Sequence, residues 1–144
     1  MIYTIGTSKL KPARLGEILT YLGARLIDVR SRPYSRVAGW SIKPLTAQFG
    51  AKYTHVPALG GFDVEPTVQA VALATLESLK ESDHVMLLCM EHSPGECHRH
   101  HDIALALKRD VTHVFDHELI NARELQRSIV AGPDDDYTYE DLHV

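Results

Sequence analysis

The chain opens on Met1-Ile2-Tyr3-Thr4-Ile5, a β-branched and aromatic run closed by Gly6, and this pattern predicts a buried first strand. From Pro12 to Leu22 the period changes. Leu15, Ile18, Leu19 and Leu22 recur at helical spacing, and Gly23 stands where a helix would stop. Arg25 to Val29 predicts a second strand. The stretch from Arg30 to Ser41 has no period, carries Pro33 and Gly39, and predicts a loop. Ser41 is placed to cap a short helix ending near Phe49, and Lys52 to Pro57 supplies a third strand. A long helix follows over Glu65 to Leu79, with Val68, Val71, Ala72, Leu76 and Leu79 on one face. His84 to Met90 is a continuous apolar run and predicts a central strand covered on both sides. A helix is then expected from about Cys97 to Lys108, a fifth strand over Val111 to Phe115, and a last helix over Ala122 to Val130.

Strands alternating with helices imply a single-domain α/β fold over residues 1–144. The expected architecture is a mostly parallel sheet of about five strands with helices on both faces, Rossmann-like in its layering. The stretch 131–144, with Asp134, Asp135, Asp136, Glu140 and Asp141, is expected to be a loosely held acidic tail.

Composition narrows the class. With 144 residues, 44% hydrophobic and 24% charged, the chain suits one soluble globular domain. The N-terminal stretch lacks the apolar core of a signal peptide and no segment is long enough to span a bilayer. The expected location is therefore cytoplasmic, with no membrane partner. In that compartment Cys89 and Cys97 are read as reduced or chemically active rather than as a structural disulfide. The net charge of -4 is unevenly spread. Residues 1–61 hold nine Lys/Arg against Glu17 and Asp28, and the remainder hold six against seventeen acids. A basic half favours an anionic partner, unless the two halves neutralise each other in the fold.

The chemistry concentrates in Leu87 to His101, which contains both cysteines and four of the nine histidines. Ligands of parallel sheets bind outside the carboxyl ends of the strands. Three stretches should therefore converge at one edge: Gly6-Thr7-Ser8, Asp28 to Arg32, and Cys89-Met90-Glu91. Arg30, Ser31 and Arg32, joined by Arg36, fall in a loop suited to forked binding of phosphate. Cys97, at the expected start of a helix with Arg99 in its first turn, is placed for a lowered thiol pKa, and Arg99 is read as a further phosphate ligand. His98 and Glu91 complete the candidate catalytic set, the latter as a carboxyl whose burial would suit acid–base work. Asp28 either shares that work or orients the arginines, and Cys89 supports the site or is a buried small hydrophobe. Tyr34, Trp40 and Phe62 are aromatics placed to stack on a base or to fill core.

Several alternatives fit less well. A phosphatase loop needs an arginine six residues after its cysteine, but those positions hold Gly95 and Ile103. A sulfur-transfer cradle would lose a backbone donor at Pro94. Cys89, His92, Cys97 and His101 make a chemically acceptable zinc set, but their interval is not that of a usual knuckle. No metal and no cofactor is therefore assigned.

"YTIGTS", "DVRSRPYSR" and "LLCMEHSPGECHR", with the glycine pair of "HVPALGG", resemble the domain of unknown function 488 family over roughly Met1 to Phe115. Thr7 stands where that family's opening motif usually has histidine. The resemblance implies an α/β fold and a shared pocket, and it carries no reaction with it. The expected function is an enzyme acting on a phosphate-bearing ligand, a small nucleotide or a nucleic acid. The alternatives are a non-catalytic module binding nucleic acid or protein, and a zinc-stabilised interaction domain.

Overall fold

A computed structural model describes residues 1–60, 64–90, 95, 97–115 and 119–131. Six strands form one sheet: β1 (Ile2–Gly6), β2 (Arg25–Asp28), β3 (Tyr53–His55), β4 (Val85–Cys89), β5 (Val111–Val114) and β6 (Leu119–Asn121). Their spatial order is β3-β2-β4-β1-β5-β6. The first five strands are parallel, and β6 runs antiparallel to β5. That last strand was not expected from the sequence. Four residues separate β5 from β6, too few for the crossover that a parallel pair needs, so the chain can only turn back.

Four α-helices cover the sheet: α1 (Pro12–Leu22), α2 (Ile42–Phe49), α3 (Pro66–Glu77) and α4 (Ala122–Ala131). Helix α1 ends where the sequence placed its stop. Gly23 has φ of 63°, and its N–H and that of Ala24 bond the carbonyls of Thr20 and Leu19. Ser41 does occupy the N-cap position of α2, but its hydroxyl serves the preceding loop, accepting the N–H of Ser35 at 2.9 Å. Glu65 caps α3 through its carboxylate, which accepts from Thr67 and Val68 N–H. The buried face of α3 is narrower than its apolar pattern suggests. Ala72, Leu73 and Leu76 pack inward, as does Leu79 just beyond the helix, whereas Val68 and Val71 are exposed.

All five residues of β4 are buried, which explains the unbroken apolar run: the strand is central and has a hydrophobic layer on each side. On one face Leu87, Ile27 and Val85 pack with Leu76 of α3 and with Ile103 and Leu107. On the other, Met86, Leu88 and Leu26 pack with Leu15 and Leu19 of α1, Leu45 of α2 and Trp40. Trp40 is 2% exposed, so it is core and does not stack on a ligand.

The order β3-β2-β4-β1-β5 differs from the usual dinucleotide-fold order by an exchange of the first and fourth strands. The consequence is local. The chain leaves β2 toward β3 and leaves β4 in the opposite direction, toward β5, so the loops after these neighbours part and leave a crevice between them.

The segment after β4 also departs from expectation. In place of an α-helix from Cys97 to Lys108, Arg99–Ala104 forms a π-helical turn, with the Leu105 N–H bonding the His100 carbonyl. Consecutive residues of an α-helix point about 100° apart. Here Arg99 and His100 are both fully buried, and the wider turn accommodates both in the interior.

No helix among the described residues is long and apolar enough to cross a membrane. The acidic stretch 132–144 lies outside the described residues.

Candidate functional site

The crevice between the ends of β2 and β4 opens into a cleft of about 520 Å³. Its walls include Arg30, Ser31, Arg32, Cys89 and His98, five of the residues singled out by sequence. Thr7, Tyr34, Ser35 and Arg36 line it as well. The β1 end joins the rim through backbone bonds from Thr7 N–H to the Cys89 carbonyl and from Ser8 N–H to the Met90 carbonyl, each 2.9 Å. No carboxylate is among the described lining residues. A wider hollow of about 1180 Å³ lies at the opposite edge, among Gly16, Arg25, Lys52 and His84. It contains neither cysteine and sits at the amino ends of the strands, where parallel sheets seldom bind ligands.

The arginine loop is held from below. Asp28, the last residue of β2, is fully buried and takes both Arg30 Nε at 2.9 Å and Arg30 Nη2 at 2.7 Å. It also accepts the Arg30 backbone N–H at 3.1 Å and the Tyr53 hydroxyl at 2.6 Å. His55 Nε2 donates to the Arg30 carbonyl at 2.7 Å. Burial works against the Arg30 charge, but the hydrogen bonds and charge of Asp28 outweigh it and hold its pKa above the ordinary value. Tyr53 is raised as well, first by burial and then because its hydroxyl donates to Asp28. Of the two roles considered for Asp28, this geometry is that of the orienting group. Arg30 is a fixed wall, while Arg32, Arg36 and Tyr34 are exposed around it.

Gly60 explains how the next loop comes close. A Cβ there would lie 2.9 Å from the Ser31 Cα and 2.9 Å from the Pro57 carbonyl oxygen, both backbone atoms. Some of the loop's N–H groups are used internally, those of Ser35 and Val37 by serine hydroxyls. Those of Ser31, Arg32 and Arg36 make no intramolecular bond among the described residues. Ion pairs between described residues fall within each half of the chain, as in Arg30–Asp28 and Arg123–Asp110, and do not cross between halves.

The two cysteines meet on the inner wall. Cys89 ends β4 and Cys97 precedes the π-turn. Both are buried and reduced, with sulfurs 2.9 Å apart. His98 Nδ1 lies 3.5 Å from the Cys89 sulfur and 3.8 Å from that of Cys97. The Cys97 thiol is driven well below the ordinary range. The hydrogen bond with Cys89 is the largest cause, burial opposes, and the Arg99 charge and the Arg99 backbone N–H add to the shift.

Comparison with protein-family models, curated proteins and solved structures finds no match. Function has to be read from the site.

Arg99, expected to hold phosphate, lies elsewhere. It is fully buried, is not on the cleft wall, and gives its Nε to the Thr4 hydroxyl at 3.1 Å. The reason is the π-turn, which points it under the sheet toward β1. From there a buried chain continues: Thr4 Oγ1 to His113 Nδ1 at 2.5 Å, His113 Nε2 to His100 Nδ1 at 2.9 Å, and His100 Nε2 to Gln126 Oε1 at 3.0 Å. Its direction is determined. The Gln126 Oε1 can only accept, so His100 Nε2 donates to it; in neutral rings His113 Nε2 then donates to His100 Nδ1, and Thr4, which accepts from Arg99, gives its own proton to His113 Nδ1. Both rings are held toward the neutral form: His113 is pushed down to about 2, by burial first and then because a proton there would face the Arg99 charge and any positive charge on His100. The pKa of His100 is lowered too, chiefly by burial.

Sequence reasoning missed this chain. The signal was available: Thr4 and His113 are polar residues within strands, and the pairing of β1 with β5 sets them side by side in the interior. His101, a candidate zinc ligand, is exposed and bonds the Gly95 carbonyl at 2.6 Å, away from the sulfurs. Glu91, His92, Phe62 and Pro94 lie outside the described residues.

Proposed function

We propose that this protein is a cytoplasmic enzyme that takes a phosphate-bearing ligand, a nucleotide or a nucleic-acid segment, into the cleft between β2 and β4. The observation that carries this reading is the lining. Arg30, Arg32 and Arg36 stand on a wall with no described carboxylate, and the same wall carries Cys89 and His98. Guanidinium forks match phosphate oxygens in pairs. Arg30, anchored by Asp28, is preorganised and loses little freedom on binding. Arg32 and Arg36 can close on a phosphate from the solvent side, with the Ser31, Arg32 and Arg36 N–H groups as further donors. The ring of Tyr34, 74% exposed, is placed to stack on a base. A volume of about 520 Å³ suits a ligand of nucleotide size.

Chemistry in this reading comes from Cys97, His98 and Glu91, with Cys89 supporting Cys97. The lowered thiol pKa and the neighbouring imidazole support an active thiolate or a thiolate ligand beside the bound phosphate. A binding module built on the same cleft is the competing reading. It predicts that ligand is held and released unchanged.

The test is calorimetry with inorganic phosphate, a nucleoside monophosphate and a short single-stranded DNA, on the wild type and on Arg32→Ala/Arg36→Ala. Affinity for all three should fall at least tenfold in the double variant, with a smaller dependence on salt. Equal affinities in the two proteins would remove the reading. Turnover of a bound nucleotide that is lost in His98→Ala with binding retained would separate the enzyme from the module.

A further inference from the structure

Cys89 Sγ, Cys97 Sγ and His98 Nδ1 all lie within 4.8 Å of one another. They come from two adjoining pieces of chain, the end of β4 and the residues leading into the π-turn. Their spacing can be compared with a tetrahedral zinc centre, where Zn–S is about 2.3 Å and Zn–N about 2.1 Å. Tetrahedral angles then require S···N near ~3.6 Å and S···S near ~3.8 Å. The two S···N distances, 3.5 and 3.8 Å, bracket the required value. Only the sulfurs, at 2.9 Å, have to part, by roughly 0.9 Å, which small rotations of two cysteine side chains supply.

The histidine is prepared for this role. Its Nε2 lies 3.1 Å from the Val29 carbonyl oxygen, which can only accept, so Nε2 carries the hydrogen. In the neutral ring Nδ1 is therefore the lone-pair nitrogen, and it faces the sulfurs. A backbone carbonyl fixing the tautomer and tilt of an imidazole is the usual outer-shell device of a histidine metal ligand. Two thiolates and a dication also sum to zero charge, which suits a site where both cysteines are at most 3% exposed. A sulfur-rich donor set selects zinc over magnesium or calcium.

We propose that Cys89, Cys97 and His98 bind one zinc ion, with its remaining coordination position opening on the arginine cleft. Cys89 and His98 are wall residues of that cleft, and among the described residues the donor set stops at these three. Binding releases the protons held on the sulfurs to solvent and involves no change of oxidation state. The site differs from the set suggested by spacing alone, since His98 takes part and His101 does not. It stands independently of the anion reading, because metal can be bound with no phosphate present.

The experiment uses the full chain, reduced, stripped with chelator and titrated with cobalt(II) as the probe. The expected result is one cobalt per chain, thiolate-to-cobalt charge-transfer absorption, intense tetrahedral visible bands, and displacement by one equivalent of zinc. His98→Ala should weaken cobalt binding about a hundredfold or more. His101→Ala should leave it unchanged. Circular dichroism of each variant shows that it is folded, and the histidine variants carry the test if a cysteine variant is not. Added azide should shift the visible bands through the open position. A folded, reduced protein without charge-transfer absorption overturns the site, as does loss of binding in His101→Ala with retention in His98→Ala. Bands that azide leaves unmoved overturn the open position. Phosphate affinity measured on the metal-free protein reports on the arginine cleft separately, so the two readings can fail one at a time.

Discussion

The buried chain from Thr4 to Gln126 makes stability depend on pH in a way that a single residue can reveal. His113 is fully buried, accepts from Thr4 on Nδ1 and donates to His100 on Nε2. Protonation would place a second charge beside Arg99 and break the bond from Thr4. Its pKa accordingly falls from an ordinary 6.5 to about 2, burial being the leading cause. The unfolded chain has no such restraint and binds a proton below pH 6.5. The contribution is therefore fully present above that pH and is lost as pH falls toward the folded value. Between pH 7 and pH 5 the loss from this one group is about 2 kcal/mol, at about 1.4 kcal/mol per unit once the unfolded ring is charged. In urea denaturation, at a slope near ~2 kcal/mol per molar, that lowers the midpoint by about 1 M. The comparison is with His113→Gln, which removes the titrating group from both states, in buffers containing chelator. The variant is expected to be less stable than wild type at pH 7 and to lose about 2 kcal/mol less between pH 7 and pH 5. His100 acts in the same direction and persists in both proteins, so it cancels. Parallel losses in the two proteins would show that His113 is not held neutral and would refute the directed chain.

Two further outcomes follow from the cleft. Asp28→Asn leaves Arg30 buried without its counter-charge and should cost about 3–5 kcal/mol by chemical denaturation, whereas Tyr53→Phe, which deletes one bond to the same carboxylate, should cost about 1 kcal/mol. A cost below 1 kcal/mol for Asp28→Asn would mean that the arginine loop is not anchored there. Gly60→Ala puts a methyl 2.9 Å from the Ser31 Cα and should displace the loop, costing about 1–3 kcal/mol and weakening phosphate binding, and unchanged phosphate affinity by calorimetry would count against a rigid cleft.

Much of the fold was legible in the chain because periodicity and stop signals are local properties. The apolar run at β4, the helical spacing of α1 and the αL glycine at Gly23 each act over a few residues, and each appears where the pattern put it. The gathering of strand ends at one edge was legible too, since all parallel strands of a sheet present their carboxyl ends on the same side. On that ground Arg30, Ser31, Arg32, Cys89 and His98 could be named together before the structure was known. The side of α3 that turns inward was less so: Val68 and Val71 continue its apolar stripe but face solvent, because the sheet covers only part of that surface.

Tertiary structure decided what depends on partners far apart in sequence. Strand order placed β4 between β2 and β1, and so set the crevice beside Cys89. The π-turn moved Arg99 from an anion ligand to an interior donor, and it joined His100 to His113, thirteen residues on, and to Gln126, twenty-six residues on. Local spacing offered His101 as a partner of the cysteines, whereas among the described residues His98 faces them, its ring fixed through Val29, sixty-nine residues earlier. The sequence by itself determined which elements form and which residues reach the edge of the sheet, because those outcomes follow from side-chain period and backbone preference. Which of those residues touch, and which nitrogen carries the proton, depended on long-range packing and on hydrogen-bond donors and acceptors having to match once buried.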